Sequence, residues 1–472
     1  MDPTQLSASR LSDAIRQRDV SCADVMRACL ARIGELNPTY NAIVSLRDES
    51  DCIAEARTAD EELQAGRCRG WMHGMPYAVK DLANVAGLPT SFGSRIFAGK
   101  LADHDDPFVA DIRDAGAIFI GKTNTPEWGL GGQTYNDVFG VTRNAHNPEL
   151  TAGGSSGGAA CALATRMLPV ADGSDMMGSL RTPAAFNNVI GFRPSHGKVP
   201  DNIAADKNDV RLSTNGPMGR TVEDTIRLFT TMAGPGVPGF DAYEAASLRH
   251  CRIGWMRDFD GYLPTEPGVI DLCEMALGRV ADEGAAVDSC APKFDMPRLW
   301  KTWLTLRHWA RHPDRVFYDD PRKRELMSQK WRREIEESLK ITPTALSEAE
   351  VARDDWKHAL DRCFDDYDIL ALPAAQVFPF SAETYWPNSI DGKDMDTYHR
   401  WMEVAIGGTL AGLPVVSLPA GFDAAGRGMG LQFMGRHGQD RKVLEFALAY
   451  EAIQASGLCN AYEPGPTRTL RK

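Results

Sequence analysis

One stretch constrains this chain more than any other: residues 152–183, AGGSSGGAACALATRMLPVADGSDMMGSLRTP. Gly153, Gly154, Gly157 and Gly158 bracket Ser155 and Ser156, so the backbone there can take conformations closed to residues that carry a Cβ. A helix-like Ala/Cys run follows, then a strand at LPVA, then a second tight turn with Ser179 behind Gly178 and ahead of Leu180-Arg181. Two serines on tight turns flanking one helix–strand unit can meet at one edge of a sheet. Upstream, Lys80 ends the apolar run MPYAV, so a strand there carries its ammonium towards that same edge or buries it.

The surroundings read as α/β. Between 74 and 200, short apolar runs (YAVKDLANV, AIFIG, LPVA, VIGF) sit among Gly-rich turns and alternate with helical stretches such as DDPFVADIRDAG. Residues 4–65 are helical, with Leu11, Ile15, Val25, Cys29, Ile33 and Leu36 recurring at helical steps and Asn37-Pro38 as a stop. A helix over 221–233 opens on Thr221 as its cap. The stretch 296–365 is rich in Arg, Glu and Trp and reads as amphipathic helices lying over the α/β body. Strands return at DILALPAA and LPVVSLPA, before a closing helix from Arg441. We therefore expect one domain over 1–472: N-terminal helices at 4–65, a core at 74–200, a variable helical cap at about 240–365 and a return to the core over 366–472.

Composition excludes several classes. With 52 Lys+Arg against 64 Asp+Glu in 472 residues, the net charge of -12 repels phosphate backbones, so no nucleic-acid partner is expected. The ten cysteines include no CxxC pair and read as reduced thiols of a cytoplasmic protein. The N-terminus shows no secretory pattern. The longest uncharged run, 404–422, contains Pro414, Pro419 and four glycines, so it reads as turns around a buried strand and no membrane partner is expected.

Two motif matches mislead. Residues 116–123, GAIFIGKT, satisfy the P-loop expression, yet the variable positions Ala-Ile-Phe-Ile are strand material, with no loop to cradle a phosphate. His308 and His312 share one helical face at a spacing zinc can use, but the glutamate of HExxH and a third ligand are missing. The plainer reading is a solvated Arg/His face, with no metal.

The longer pattern resembles the amidase signature family. Its motifs GGSSGG, GTDTGGSIRxPA and GLKPT stand here as GGSSGG at 153–158, GSDMMGSLRTPA at 173–184 and GFRPS at 191–195. GMPYAVKD at 74–81, GKTNTPEWGLGG at 121–132, FGVTRN at 139–144, GPMGRTVEDT at 216–225, AGLPVVSLPAGF at 411–422 and MGLQFMGR at 429–436 extend the likeness over most of the chain. The resemblance implies a large mixed β-sheet between layers of α-helices, and a cofactor-free amidase acting on a small carboxylic amide through an acyl-serine. It further implies Ser179 as nucleophile, Ser155 as the serine with a cis peptide that relays the proton, and Lys80 as base. A lysine does this work only if burial lowers its pKa. The oxyanion donors implied are the backbone N–H groups of Met176, Met177, Gly178 and Ser179. The resemblance also implies that Ser156, Asp175 and Arg181 support the turn and that Gly131, Gly132 and Gln133 face the substrate.

One departure concerns the pocket: the family's Thr-Gly-Gly before the nucleophile is Met176-Met177-Gly178 here, which places flexible apolar side chains beside the oxyanion turn. Seven of ten tryptophans (300, 303, 309, 331, 356, 386, 401) lie between 296 and 401. They either line an aryl or apolar acyl pocket or pack the cap helices onto the core. The alternatives to a free-standing amidase, which would work as a monomer or a homodimer, are the glutaminase subunit of a tRNA-dependent amidotransferase and a silent scaffold on the same fold.

Overall fold

A computed structural model describes residues 2–201 and 210–457. Eleven of its strands make up two sheets. The smaller sheet joins β1 (Ile43–Val44), β2 (Pro76–Lys80) and β3 (Ile118–Thr123), with β3 in the middle, parallel to β2 and antiparallel to β1. The larger has eight strands: β4 (Ala171–Asp175), β5 (Ile190–Arg193), β6 (Thr214–Gly219), β7 (Arg252–Trp255), β8 (Ala286–Ser289), β9 (Ile369–Pro373), β10 (Val415–Phe422) and β11 (Gly428–Met434). Their spatial order is β8-β7-β9-β11-β10-β5-β6-β4. The pairs β8–β7 and β7–β9 are parallel and the others antiparallel, so the sheet is mixed.

Helices cover these sheets: α1 (Ala8–Gln17), α2 (Cys22–Tyr40), α3 (Glu49–Gln64), α4 (Pro107–Asp114), α5 (Gly157–Ala164), α6 (Arg181–Asn187), α7 (Val222–Ala233), α8 (Val269–Asp282), α9 (Met296–Trp309), α10 (Gln329–Ser338), α11 (Pro343–Asp366) and α12 (Asp440–Gly457). α5 is buried along Gly157–Leu163, which its Gly, Ala and Cys side chains permit, and every residue of α6 is buried. α7 is capped as expected, Thr221 Oγ1 accepting the Asp224 N–H at 3.1 Å. The segment 116–123 lies largely in β3, as its apolar letters required. No helix among the described residues is long and apolar enough to cross a membrane.

Several boundaries fall elsewhere than the sequence suggested. α2 runs past Asn37-Pro38 to Tyr40. A proline in the last turn removes only one helical hydrogen bond, and the helix ends at Asn41, whose φ of 51° is left-handed and whose N–H reaches Asn37 O. The strand expected at LPVA begins instead at Ala171, paired with Met218, because Pro169 has no N–H for a ladder. The helical cap expected from about 240 begins only at Met296. Residues 252–289 supply β7, α8 and β8, which extend the large sheet.

Candidate active site

The two sheets meet where β2 packs against β4, and Lys80, the last residue of β2, is buried there. Its ammonium donates to Ser155 Oγ at 2.8 Å, Ser156 Oγ at 2.9 Å and Ser174 Oγ at 2.9 Å. All three acceptors are neutral hydroxyls. Burial drives the Lys80 pKa down to about 7, against the opposing charges of Asp172 and Asp175. A lysine so held is half deprotonated near neutrality and can take a proton.

Ser155 and Ser156 lie on the glycine loop that enters α5, and the Gly154–Ser155 peptide is cis. The loop fits closely under β4: a Cβ at Gly173 would come within 2.6 Å of Ser156 Oγ. Ser179 sits on the turn between β4 and α6. Its carbonyl accepts the Ser156 N–H at 3.2 Å, and both Ser155 and Ser179 line one cavity of about 410 Å³. Among the described residues no hydrogen bond joins the two hydroxyls; such contacts often tighten only when substrate is bound.

Asp175 holds the turn. Its carboxylate accepts Gly178 N–H at 2.9 Å, Leu180 N–H at 3.1 Å, and Arg181 Nε and Nη2 at 2.9 Å each. Burial alone would raise its pKa, but the Arg181 and Arg193 guanidiniums outweigh this and keep it well below the usual carboxylate range. Arg181 also reaches Gln432 Oε1 at 2.6 Å, Ala405 O at 3.0 Å and Thr409 Oγ1 at 3.1 Å, tying the turn to the sheet. Of the four N–H groups assigned to the oxyanion, Gly178's is therefore engaged by Asp175. Those of Met176, Met177 and Ser179 make no hydrogen bond among the described residues, and all three residues border the cavity.

The cavity wall differs from expectation. Gly131 lines it, but Gly132 is pressed against Trp401 and Met402, and Gln133 turns away to donate to Ala382 O at 2.5 Å. None of the seven tryptophans between 296 and 401 lines it; Trp300, Trp303, Trp331, Trp356 and Trp401 are buried in packing. Phe92, Phe108 and Trp128 supply the aromatic surface instead, with Leu82, Leu130, Met176, Met177 and Met402.

Sequence reasoning also missed Arg307, which stands next to the His308 read as part of a solvated face. It is buried beside the cavity, with Nε 3.1 Å from Glu334 Oε1, Nη2 2.6 Å from Tyr398 OH and Nη1 3.7 Å from Met176 Sδ. His308, the candidate zinc ligand, pairs with Glu334 Oε2 at 2.8 Å, and His312 stacks on Trp309. No cluster of metal-ligating side chains occurs among the described residues. Ser174 and Asp172 were missed as well, although their spacing on one strand was visible: residues two apart in a strand share a face, and both reach Lys80.

The family model described as Amidase matches residues 24–444. The chain belongs to the amidase family. It is an amide-hydrolysing enzyme. Among relatives of amidase type, an acylamidase of Rhodococcus erythropolis is 30% identical over 95% of this chain and 95% of its own. A glutamyl-tRNA(Gln) amidotransferase subunit of Symbiobacterium thermophilum is also 30% identical, over 95% and 96%. The crystal structure of a bacterial aryl acylamidase of the amidase signature family superposes with a TM-score of 0.87 at 24% identity, covering 95% of this chain and 96% of that one. At that identity the likeness speaks to the fold.

Proposed function

We propose that this amidase cleaves small carboxylic amides with an apolar or aromatic acyl group, through an acyl-serine on Ser179. The observation that carries the reading is the buried Lys80 ammonium on Ser155 Oγ at 2.8 Å, with Ser155 and Ser179 facing one cavity. In the neutral form, Lys80 takes the Ser155 proton while Ser155 takes that of Ser179, and Ser179 Oγ attacks the amide carbon. The tetrahedral oxygen is met by the N–H groups of Met176, Met177 and Ser179, and one such donor is worth ~3–4 kcal/mol of barrier. The proton returns through Ser155 to the leaving ammonia or amine, and water then hydrolyses the acyl-serine by the same relay.

The acyl preference rests on Phe92, Trp128, Met176 and Met177 around the cavity. Every group in the scheme comes from one chain, so it serves a monomer or a homodimer. A reducing cytoplasm suits the nine free thiols among the described residues.

A second reading, glutaminase activity, has one observation in its favour: Arg307 lines the cavity and could meet a carboxylate. Its Nε and Nη2 are already held by Glu334 and Tyr398, which favours the first reading. The test is intact mass after exposure to a small fluorophosphonate, followed by turnover of an arylamide and of glutamine. We expect one adduct on wild type, none on Ser179→Ala, and arylamide turnover exceeding glutamine turnover. An adduct retained by Ser179→Ala overturns the nucleophile assignment, and glutamine turnover above that of arylamides moves the second reading to the front.

A further inference from the structure

Behind Lys80 lies a carboxylate that the scheme above leaves unused. Asp172, on β4 and 1% exposed, accepts the Lys80 backbone N–H at 3.3 Å and 3.2 Å on its two oxygens, and the Tyr77 hydroxyl at 3.1 Å. A buried carboxylate is costly unless it has partners, so its presence against the proposed base requires an explanation.

The charged and titratable groups around Lys80 come from every element packed on it. β2 itself supplies Tyr77, whose hydroxyl is committed to Asp172. β3 supplies Lys122, whose ammonium is bonded to Ala83 O and to Thr90 Oγ1 at 3.2 Å. Next in the chain, Asp81 is satisfied by the Ser91 hydroxyl and by the N–H groups of Ser91 and Gly93. The glycine loop offers the hydroxyls of Ser155 and Ser156, and β4 offers Ser174, Asp172 and Asp175. α2 approaches the start of the strand, where its Cys29 thiol faces Met167 O and is pushed up to about 12 by burial. Asp175 is neutralised by Arg181 and Arg193. Asp172 makes no ion pair within salt-bridge distance among the described residues, so its charge is the one that Lys80 feels least compensated.

We propose that Asp172 is a positioning residue for Lys80: it fixes the end of β2 through the Lys80 N–H, and its charge sets the pH at which the ammonium gives up its proton. This rests on the reading of Lys80 as the base. Burial pushes Lys80 down and pushes Asp172 up to about 6, and the charge of each opposes the other's shift. An anion beside Lys80 favours its protonated form. Removing that anion while keeping an acceptor leaves burial opposed only by Asp175, and Lys80 then loses its proton at lower pH.

The experiment is the rate of Ser179 phosphonylation by a small fluorophosphonate from about pH 5 to about pH 10. In that step the Ser179 Oγ–P bond forms, fluoride leaves and the serine proton passes to Lys80, so the acid limb reports the deprotonation of Lys80. It is run on wild type, Asp172→Asn, Tyr77→Phe and Lys80→Met. We expect the limb of Asp172→Asn to move to lower pH by about half a pH unit or more. Tyr77→Phe, a near-isosteric change that removes a donor to the Asp172 carboxylate, should move it the same way by less, and it decides the matter if Asp172→Asn does not fold. A limb that is unmoved or raised in the folded variants, with Lys80→Met unreactive, overturns the role of Asp172 and leaves Lys80 as base. Lys80→Met reacting like wild type overturns the base assignment itself.

Discussion

Phe92 and Trp128 stack face to face, with ring centroids 4.5 Å apart and planes 8° from parallel, and the Trp128 backbone N–H donates to Phe92 O at 2.8 Å. Both residues have left-handed backbones, φ 54° and 53°. Bulky side chains rarely adopt that conformation, at a cost of ~1–3 kcal/mol each. Phe97 meets both rings edge-on, and Trp331 backs Trp128 at 5.2 Å. Besides Arg307, which lines the cavity directly, the cap helices thus shape it by supporting this aromatic wall.

That wall predicts acyl selectivity. Trp128→Ala removes the stacked surface, and an aromatic contact is worth ~0.5–1.5 kcal/mol beyond its buried area. We expect kcat/KM for an aryl-acyl amide to fall about 10-fold or more while that for acetamide changes less than about 3-fold. Equal losses on both substrates would show that the pair serves folding alone.

The pH dependence follows from Lys80. Its pKa is lowered to about 7, chiefly by burial, and in the proposed scheme the competent form is the neutral amine. Activity should thus rise with pH through about 7 and level off above it. A folded-state pKa depressed below the ordinary lysine value also means that the unfolded chain binds the extra proton between about 7 and about 10.4, so this group alone makes stability rise with pH across that window. A kcat/KM profile falling from pH 6 to pH 8, about one unit either side of neutrality, would contradict a lysine base.

How much of this was legible in the sequence depends on which residues carry local signals. The turns around Ser155 and Ser179 were readable because glycine spacing and strand-end positions are local, and the motifs extend them along the chain. Arg307 was not: nothing local marks it until Glu334, 27 residues on, and Tyr398, 91 residues on, are brought to it by tertiary packing. The tryptophans between 296 and 401 could not be decided between pocket and packing for the same reason, since an apolar ring fits a core and a binding wall equally well. Gln133 is a substrate donor only by the family resemblance, and what the sequence could not show is that its side-chain amide donates to Ala382 O.

Gly178 tests the oxyanion turn. Its φ is 82°, and a Cβ there would stand 2.9 Å from Ala405 Cβ. Gly178→Ala should destabilise the protein by ~1–3 kcal/mol and displace the Met177 and Ser179 N–H groups together. We expect kcat to fall at least about 100-fold with little change in KM. A loss confined to KM would place the turn in ground-state binding rather than beside the developing charge.

The Arg307–Glu334 pair makes a prediction about stability. Both side chains are buried, at 4% and 1% exposure, and Glu334 also accepts from the Tyr398 hydroxyl and from His308. Burial would raise the Glu334 pKa, but the Arg307 charge and the His308 hydrogen bond hold it well below the ordinary value. Glu334→Gln leaves a buried guanidinium without its counter-charge, which costs ~3–5 kcal/mol. A depressed carboxylate contributes stability that is present above the ordinary glutamate range and is lost as pH falls towards the folded value. The gap between wild type and Glu334→Gln in urea unfolding should therefore be full at neutral pH and narrow below about pH 4. Because much of the cost is the stranded cation, Arg307→Met combined with Glu334→Gln should be more stable than Glu334→Gln alone. If the double variant is instead the weaker, the two side chains stabilise through separate contacts, and the Met176 side of the cavity does not depend on their pairing.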